Sequence, residues 1–231
     1  SWELCTPNAA GHMSAVGYFY ARELAKNLNV TIGIIGCYWG GTSITCWMSK
    51  EYLEKDLDAY SYVQAYDKKV GNKTDEQYEE EMKAYNEEYL AWCSRVDKLK
   101  KEDPDISWEL INEKAGLCPW PQPAGRKSPY RPAGLYKTMV SRVSPYTLKG
   151  FIYYQGEEDV YKASLYGGLM VRLIDQWRSD WQCDTLPFLF VQLPMYIAKG
   201  QKDSKQWPVL RDQQMKVFKT IKNTGIAVII D

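Results

Sequence analysis

The stretch that most constrains the fold covers residues 151–158 and reads F-I-Y-Y-Q-G-E-E. Its apolar first half, residues 151–154, is typical of a buried strand that stops at a turn signal. Open α/β sheets bind ligands at the carboxyl ends of their strands, just before the next helix. Gln155, Gly156 and Glu157 are therefore candidate site residues, and the alternative is that they only cap the following helix.

Three further runs have the apolar, β-branched character of buried strands, and helix-like segments separate them. They cover residues 30–35, 186–193 and 226–230. Strands that alternate with helices predict a parallel sheet covered on both faces, so we expect an α/β fold. The predicted helices cover residues 14–28, 135–143, 160–182 and the segment from Pro208 to about residue 222, with Ser14 as the N-cap of the first.

Residues 74–103 make the clearest single helix of the sequence. Thr74 and Gln77 form a capping box, and apolar residues over 78–99 repeat with heptad-like spacing. A seam this regular predicts a packing partner, for which Tyr52 to Val70 is the nearest candidate. The sequence therefore predicts a helical hairpin, and a second subunit on the seam is the alternative.

The composition changes along the chain and predicts two parts. Residues 50–129 are rich in charged residues and poor in β-branched ones, and they end in a Pro- and Gly-rich return loop. We expect this charged helical insertion to interrupt an α/β core made of residues 1–49 and 130–231.

A glycine turn follows the first predicted strand, in the sequence C-Y-W-G-G-T-S-I-T-C-W-M. Gly40 and Gly41 permit left-handed backbone and close approach, and exposed N–H groups there can bind an anion or an oxyanion. A lone Gly-Gly pair is more often an ordinary turn. No Gly-Lys-Ser/Thr follows, so the turn is not a Walker loop.

Charge and composition limit the classes of partner. The 29 Lys and Arg residues balance 29 Asp and Glu residues, which gives no electrostatic footprint for nucleic acid or an anionic membrane. The 9 Trp and 18 Tyr residues suit the binding of polar small molecules such as sugars, or core packing. No apolar run approaches the ~18 residues that a membrane helix needs. The 6 cysteines lack Cys-x-x-Cys spacing, which argues against a zinc site and favours free thiols.

Several motifs follow one another in a recognisable order. They are S-A-V-G-Y-F-Y-A-R-E-L, G-I-I-G-C-Y-W-G-G-T-S-I-T-C-W-M-S, L-Y-K-T-M-V, G-F-I-Y-Y-Q-G-E-E, L-P-F-L-F-V-Q-L-P and L-R-D-Q-Q. Together they resemble the sialate O-acetylesterases, which are SGNH-type carbohydrate esterases related to the acetylxylan esterases. The resemblance covers nearly the whole chain outside the insertion, and it implies a three-layer, flavodoxin-like SGNH hydrolase fold.

The resemblance implies serine-type hydrolysis of acetyl esters on sugars, most of all sialic acid, without metal or organic cofactor. Gly40 or Gly41 would donate a backbone N–H to the oxyanion, and Gln155 would donate its side-chain amide. Glu157 is expected to order the loop rather than do chemistry.

Four further residues match the family or its expected pocket. Gln192 and Arg211 occupy family positions near the site. Trp39 and Trp47 would wall the sugar pocket, and a packing role is the alternative for both.

Two family motifs are absent from this sequence: the G-Q-S-N block with the nucleophilic serine and the D-x-x-H block with the base histidine. We therefore expect both residues outside this segment, together with the first strand of the sheet. In a 2-1-3-4-5 order that strand would lie between residues 30–35 and 151–154. His12, the only histidine, is expected at the surface or in packing, and Ser43 has no histidine in a matching motif to activate it.

A second function hypothesis stays open beside the esterase. The chain could belong to a non-catalytic carbohydrate-binding or scaffold protein that keeps the fold, with the 78–99 seam as an assembly surface or homo-oligomer contact. The resemblance favours a secreted or periplasmic location, whereas the unpatterned cysteines favour the cytosol.

Overall fold

The computed structural model describes residues 2–197 and 202–229 of the chain. The chain divides into two compact units. The first comprises residues 1–44 and 137–231, and the second comprises residues 45–136.

A three-stranded parallel sheet forms the centre of the first unit. Strand β1 spans Phe151–Tyr153, β2 spans Phe188–Val191 and β3 spans Thr224–Ala227, with β2 in the middle. The register places Phe151 opposite Phe188 and Phe188 opposite Thr224. Three of the four predicted strands are thus confirmed, and so is their parallel arrangement. β1 and β2 are shorter than predicted, whereas β3 begins two residues before the predicted start at residue 226, and residue 230 of that prediction lies outside the described residues.

The fourth predicted strand, residues 30–35, is not a strand in this structure. The segment runs as irregular backbone, and the side chains of Val30 and Ile35 are exposed. A strand needs a neighbour for its backbone N–H and C=O groups. Among the described residues, no strand pairs with this segment or with the outer edge of β1. The apolar pattern was therefore not sufficient to make a strand.

Nine α-helices and three other helical segments are described. In chain order the α-helices are α1 Pro7–Gly11, α2 Ala15–Leu28, α3 Lys50–Glu54, α4 Leu57–Val70, α5 Asp75–Glu102, α6 Trp108–Ala115, α7 Ser141–Val143, α8 Tyr166–Asp180 and α9 Gln206–Thr220. Two 3₁₀ helices, Ile44–Trp47 and Glu157–Leu165, and one π-helix, Tyr136–Val140, complete the set.

Local sequence signals explain how α2 begins and ends. The hydroxyl of Ser14 accepts a hydrogen bond from the backbone N–H of Gly17 at 3.3 Å, which confirms the predicted N-cap. At the other end, Asn29 adopts a left-handed conformation with φ of 52°. Asn tolerates this conformation better than most residues do, so it ends the helix.

The helix predicted over residues 160–182 is two helices in the structure. A 3₁₀ helix ends at Leu165 and α8 follows it, and a kink lies inside the 3₁₀ segment at Lys162, whose dihedrals of −124° and 37° are not helical. Leu169, Leu173 and Trp177 lie at four-residue spacing along α8, and all three are buried.

An aromatic cluster joins α8 to the sheet. The ring of Phe151 on β1 lies 5.1 Å from Trp177, 5.1 Å from Trp181 and 5.7 Å from Phe188, measured between ring centroids. Such tilted and edge-to-face contacts add ~0.5–1.5 kcal/mol beyond the apolar area that they bury. The cluster therefore fixes β1 and β2 against the helix layer.

Helix α5 dominates the second unit and confirms the predicted capping box of Thr74 and Gln77. The partner of its seam differs from the prediction. Trp92 packs with Ile111 on α6, and its indole N–H donates to Gly116 O at 2.8 Å.

The α5 seam also contacts the return loop, where the hydroxyl of Tyr85 donates to Pro119 O at 3.0 Å. The predicted partner over Tyr52 to Val70 is instead divided into α3 and α4. Tyr and Trp side chains need polar partners, and the open backbone of a loop supplies carbonyls that a helix cannot.

In the part of the chain that the structure describes, no helix has both the length and the apolar character needed to cross a bilayer.

Candidate functional site

The Q-G-E block directly follows β1, at the carboxyl edge of the sheet. Gly156 has φ of 146°, a conformation that side chains strongly disfavour. A Cβ at this position would lie 3.0 Å from Leu193 Cδ1 and 3.3 Å from the hydroxyl oxygen of Tyr166. Only glycine fits this bend, which starts the 3₁₀ helix and directs Asp159 back toward the strand end.

Asp159 is the buried centre of the site. Its side chain is fully shielded from solvent, and Oδ1 accepts a hydrogen bond from Ser43 Oγ at 2.6 Å. Oδ2 accepts from the backbone N–H of Ile44 at 2.8 Å and from Gln155 Nε2 at 2.6 Å. One carboxylate therefore joins the glycine turn, through Ser43 and Ile44, to the end of β1.

The electrostatics of Asp159 reflect its burial. The pKa of the Asp159 carboxyl is raised from 3.8 to about 6, mainly by loss of solvent and also by the charge of Glu157, while hydrogen bonds from Ser43, Gln155 and Ile44 oppose the rise. A pKa near 6 leaves this carboxyl mostly ionised at pH 7 and mostly protonated at pH 5.

The side-chain amide of Gln155 is fully engaged. Nε2 donates to Thr42 O at 2.9 Å as well as to Asp159, and Oε1 lies 2.9 Å from the Tyr153 hydroxyl and 3.0 Å from that of Tyr166. A primary amide carries two N–H donors, so both are in use. An oxyanion role for Gln155 would require one of them to open, and that role stays a prediction.

Tyr166 supports Gln155 through its hydroxyl group. Its hydroxyl also lies 2.9 Å from Gln155 O, so it holds both the backbone and the side chain of that residue. Burial raises the pKa of Tyr166 well above its ordinary value, and the charge of Asp159 adds to the rise. Tyr166 is thus a permanent hydrogen-bond donor at working pH.

The glycine turn presents backbone donors to solvent. Gly41 is left-handed with φ of 69°, and the hydroxyl of Thr42 donates to Trp39 O at 2.8 Å, which closes the turn. Gly40 and Gly41 are exposed, and among the described residues no hydrogen bond engages their N–H groups. The binding of an oxyanion by these N–H groups stays a prediction.

Two other predicted residues stabilise the end of β2. Gln192 Nε2 donates to Arg211 O at 3.0 Å, and Arg211 Nη2 donates to Gln192 Oε1 at 2.9 Å. Arg211 Nη1 also donates to Leu193 O. The pair therefore fixes the backbone at Leu193, whose side chain lies next to Gly156. The side chains of Gln192 and Arg211 also bond each other.

The predicted pocket walls differ in exposure. Trp39 is 47% exposed and remains a candidate wall, whereas Trp47 is only 5% exposed. The burial of Trp47 favours the packing alternative. Glu157 is exposed, and His12 lies at the surface, as expected for a histidine outside the site.

A groove of about 380 Å³ opens beside the Q-G-E block within the first unit. Tyr196 and Trp207 meet edge-to-face along it, with ring centroids 5.6 Å apart. The described residues that line the groove are Glu157, Glu158, Val160, Tyr161, Tyr196, Ile197, Lys202, Asp203, Ser204, Gln206 and Trp207. Aromatic rings beside carboxylates can stack on a sugar ring and bind its hydroxyls.

Sequence reasoning missed Asp159, which lies at the centre of this network. The signal that could have identified it is the third acid of the run E-E-D, four positions after Gln155. Four positions are about one helical turn, which permits side chains to meet. Within the described ranges, no cluster of His, Cys, Asp and Glu could hold a metal ion.

Comparisons with known proteins identify the family of the chain. The family model of carbohydrate esterases, sialic acid-specific acetylesterases, matches residues 112–229. The chain is 30% identical to a sialate O-acetylesterase of Mus musculus, 28% identical to one of Rattus norvegicus and 25% identical to one of Homo sapiens. All of this chain aligns with each of them, but it covers only 40%, 40% and 36% of their lengths.

A solved structure gives the same result for the fold. A carbohydrate acetylesterase from Xanthomonas citri superposes with a TM-score of 0.63 at 29% identity, over 100% of this chain and 38% of that one. The mixed helix and sheet architecture is therefore shared with a carbohydrate acetylesterase. Since the family model covers about half of the chain, the chain belongs to the sialic acid-specific acetylesterase family of carbohydrate esterases.

Proposed function

We propose that the full-length protein hydrolyses O-acetyl esters on sugars by a serine mechanism, with O-acetylated sialic acid as the substrate class. One observation carries the proposal beyond family membership. The buried carboxylate of Asp159 bonds Ser43 and Ile44, which follow the exposed residues Gly40 and Gly41 in the chain, and it also bonds Gln155 at the end of β1. Rigid backbone donors of this kind stabilise an oxyanion because they need no reorganisation during the reaction.

The chemistry has two steps. A serine oxygen adds to the acetyl carbonyl, the carbonyl oxygen becomes the oxyanion, and the sugar hydroxyl leaves with a proton. Water then attacks the acetyl-enzyme and releases acetate. Within this scheme, Gly40 and Gly41 bind the oxyanion. No motif for the serine or its base histidine occurs in the 231 residues, and the chain spans about 40% of the curated relatives in length.

The groove beside Glu157 is the proposed sugar contact. Its exposed rings, Tyr161 and Tyr196, supply apolar faces, and the neighbouring carboxylates supply acceptors for hydroxyl groups. The position at the carboxyl edge of a parallel sheet is where α/β folds bind their ligands.

A non-catalytic sugar-binding function is the second candidate, and one observation favours it. Both amide hydrogens of Gln155 are engaged by Thr42 and Asp159, so the side chain acts as a brace in this conformation. Ser43, the serine nearest the turn, donates its own proton to Asp159.

Hydrolysis of p-nitrophenyl acetate by the full-length protein separates the two functions. We expect turnover that a serine-directed organophosphate abolishes, followed by acetate release from an acetylated sialic acid in a panel of acetylated sugars. A folded protein that binds such sugars without releasing acetate would establish the binding function instead.

A further inference from the structure

We propose that Asp159 is a positioning residue that fixes the oxyanion-binding turn against the end of β1. This inference rests on the proposed function for its kinetic consequences. Its structural content, the rigidity of the turn, is independent of that function.

The geometry is convergent. Three donors from two distant parts of the chain, Ser43 Oγ, Ile44 N and Gln155 Nε2, meet on one carboxylate at 2.6–2.8 Å. Ser43 and Ile44 immediately follow the Gly40–Thr42 segment. Gln155 also bonds that segment directly, because its Nε2 donates to Thr42 O at 2.9 Å. Loss of Asp159 would remove its three contacts with Ser43, Ile44 and Gln155 and leave the contact of Gln155 with Thr42 O in place.

A simple helix-capping role does not account for this arrangement. A cap needs one acceptor near the surface, whereas Asp159 is fully buried and its contacts with Ser43 and Ile44 span more than a hundred positions. Complete burial of an ionisable carboxylate is costly unless donors surround it. The groups that act on Asp159 are these three donors, the charge of Glu157 and the hydroxyl of Tyr166, and none of them is a cation.

The donor pattern predicts which substitutions preserve the network. In Asp159→Asn, the single amide oxygen can take the place of the present Oδ2 and accept from Ile44 N and Gln155 Nε2. The new NH₂ group then takes the place of Oδ1 and donates to Ser43 Oγ, which is able to accept. In Asp159→Ala all three donors lose their acceptor. Asparagine should therefore rescue the position, and alanine should not.

The test uses the full-length protein with Asp159→Ala, Asp159→Asn and the control Asp212→Ala, which removes an exposed carboxylate on α9. We expect Asp159→Ala to lower kcat about 10-fold or more while KM changes less than about 3-fold, because the turn binds the transition state more than the substrate. Asp159→Asn and Asp212→Ala should stay within about 3-fold of the wild type. Wild-type kcat in a folded Asp159→Ala protein would overturn the inference, and so would equal losses in the alanine and asparagine variants.

Hydrogen exchange of the peptide covering residues 39–46 separates this inference from the proposed function. We expect about 10-fold faster exchange in Asp159→Ala and wild-type exchange in Asp159→Asn, whether or not the protein is an esterase. If Asp159→Ala does not fold, Ser43→Ala serves instead, with faster exchange of the same peptide expected. Unchanged exchange in the folded variant would refute the positioning role.

Discussion

The hydroxyl of Ser43 donates to the buried carboxylate of Asp159 across 2.6 Å, although 116 positions separate the two residues. The hydroxyl proton of Ser43 is used in this hydrogen bond, which holds the fold together. A serine near a Gly-Gly turn therefore need not be a nucleophile. It also makes the glycine turn and the 3₁₀ helix after β1 depend on each other.

Removal of the Ser43 hydroxyl should weaken the fold. In Ser43→Ala, the Asp159 carboxylate loses one of three donors while it stays buried, which should cost about 1–3 kcal/mol of unfolding free energy. Urea denaturation of the full-length protein measures this loss of unfolding free energy. Ser141→Ala is the matched control, because that exposed hydroxyl bonds Lys137 O in the π-helix just before it. Equal losses in the two variants would contradict the prediction.

Asp159 should make stability depend on pH. Its pKa is raised to about 6 in the folded protein, against about 3.9 unfolded, so the folded state binds more protons between these values. The contribution of this group is therefore largest below about pH 4 and is lost as pH rises through 6, by on the order of 3 kcal/mol. The difference in unfolding free energy between wild type and Asp159→Asn, measured from pH 4 to pH 7, should follow this course. A pH-independent difference would contradict it.

Gly156 should not tolerate a side chain. Gly156→Ala would place a Cβ 3.0 Å from Leu193 Cδ1 on a residue with φ of 146°, at a cost of about 1–3 kcal/mol. Gly168→Ala on α8 is the control, since nothing lies within 4 Å of its added Cβ and alanine favours helix. Thermal melts should show a lowered Tm for the first variant only.

Gln155 should affect kcat more than KM. Gln155→Ala removes the brace between Thr42 and Asp159 together with any donor to the oxyanion, and loss of one such donor costs about 10²–10³ in kcat. Steady-state kinetics with p-nitrophenyl acetate checks this. Gln206→Ala, on the groove side of α9, is the comparison and should change KM instead. Wild-type kcat in a folded Gln155→Ala protein would remove Gln155 from the mechanism.

The core between α5 and α6 should be sensitive to cavities. Ile111 is fully buried against Trp92 and Val96, so Ile111→Ala should lower the unfolding free energy of the second unit by about 2–5 kcal/mol. Leu117→Ala, at a side chain 77% exposed, should cost less than about 0.5 kcal/mol. Urea titrations followed by Trp fluorescence would report both.

Local signals account for the elements that the sequence determined by itself. Ser14, Thr74 with Gln77, and the apolar run at 151–154 act within a few residues of where they occur, through caps and side-chain periodicity. The order and type of these elements, and the parallel sheet, followed from them. The family could also be predicted from the sequence, because its motifs are short local patterns that follow one another in a recognisable order.

Tertiary structure decided what depends on neighbours far along the chain. Residues 30–35 have a strand pattern but no paired neighbour among the described residues, and the α5 seam packs on α6 and the return loop. The role of Asp159 also depends on distant neighbours. The pattern E-E-D does not indicate that the third carboxylate is buried and bonded to Ser43 and Gln155. Sequence spacing fixes local geometry, whereas hydrogen-bond partners and burial depend on long-range contacts that only the folded chain brings together.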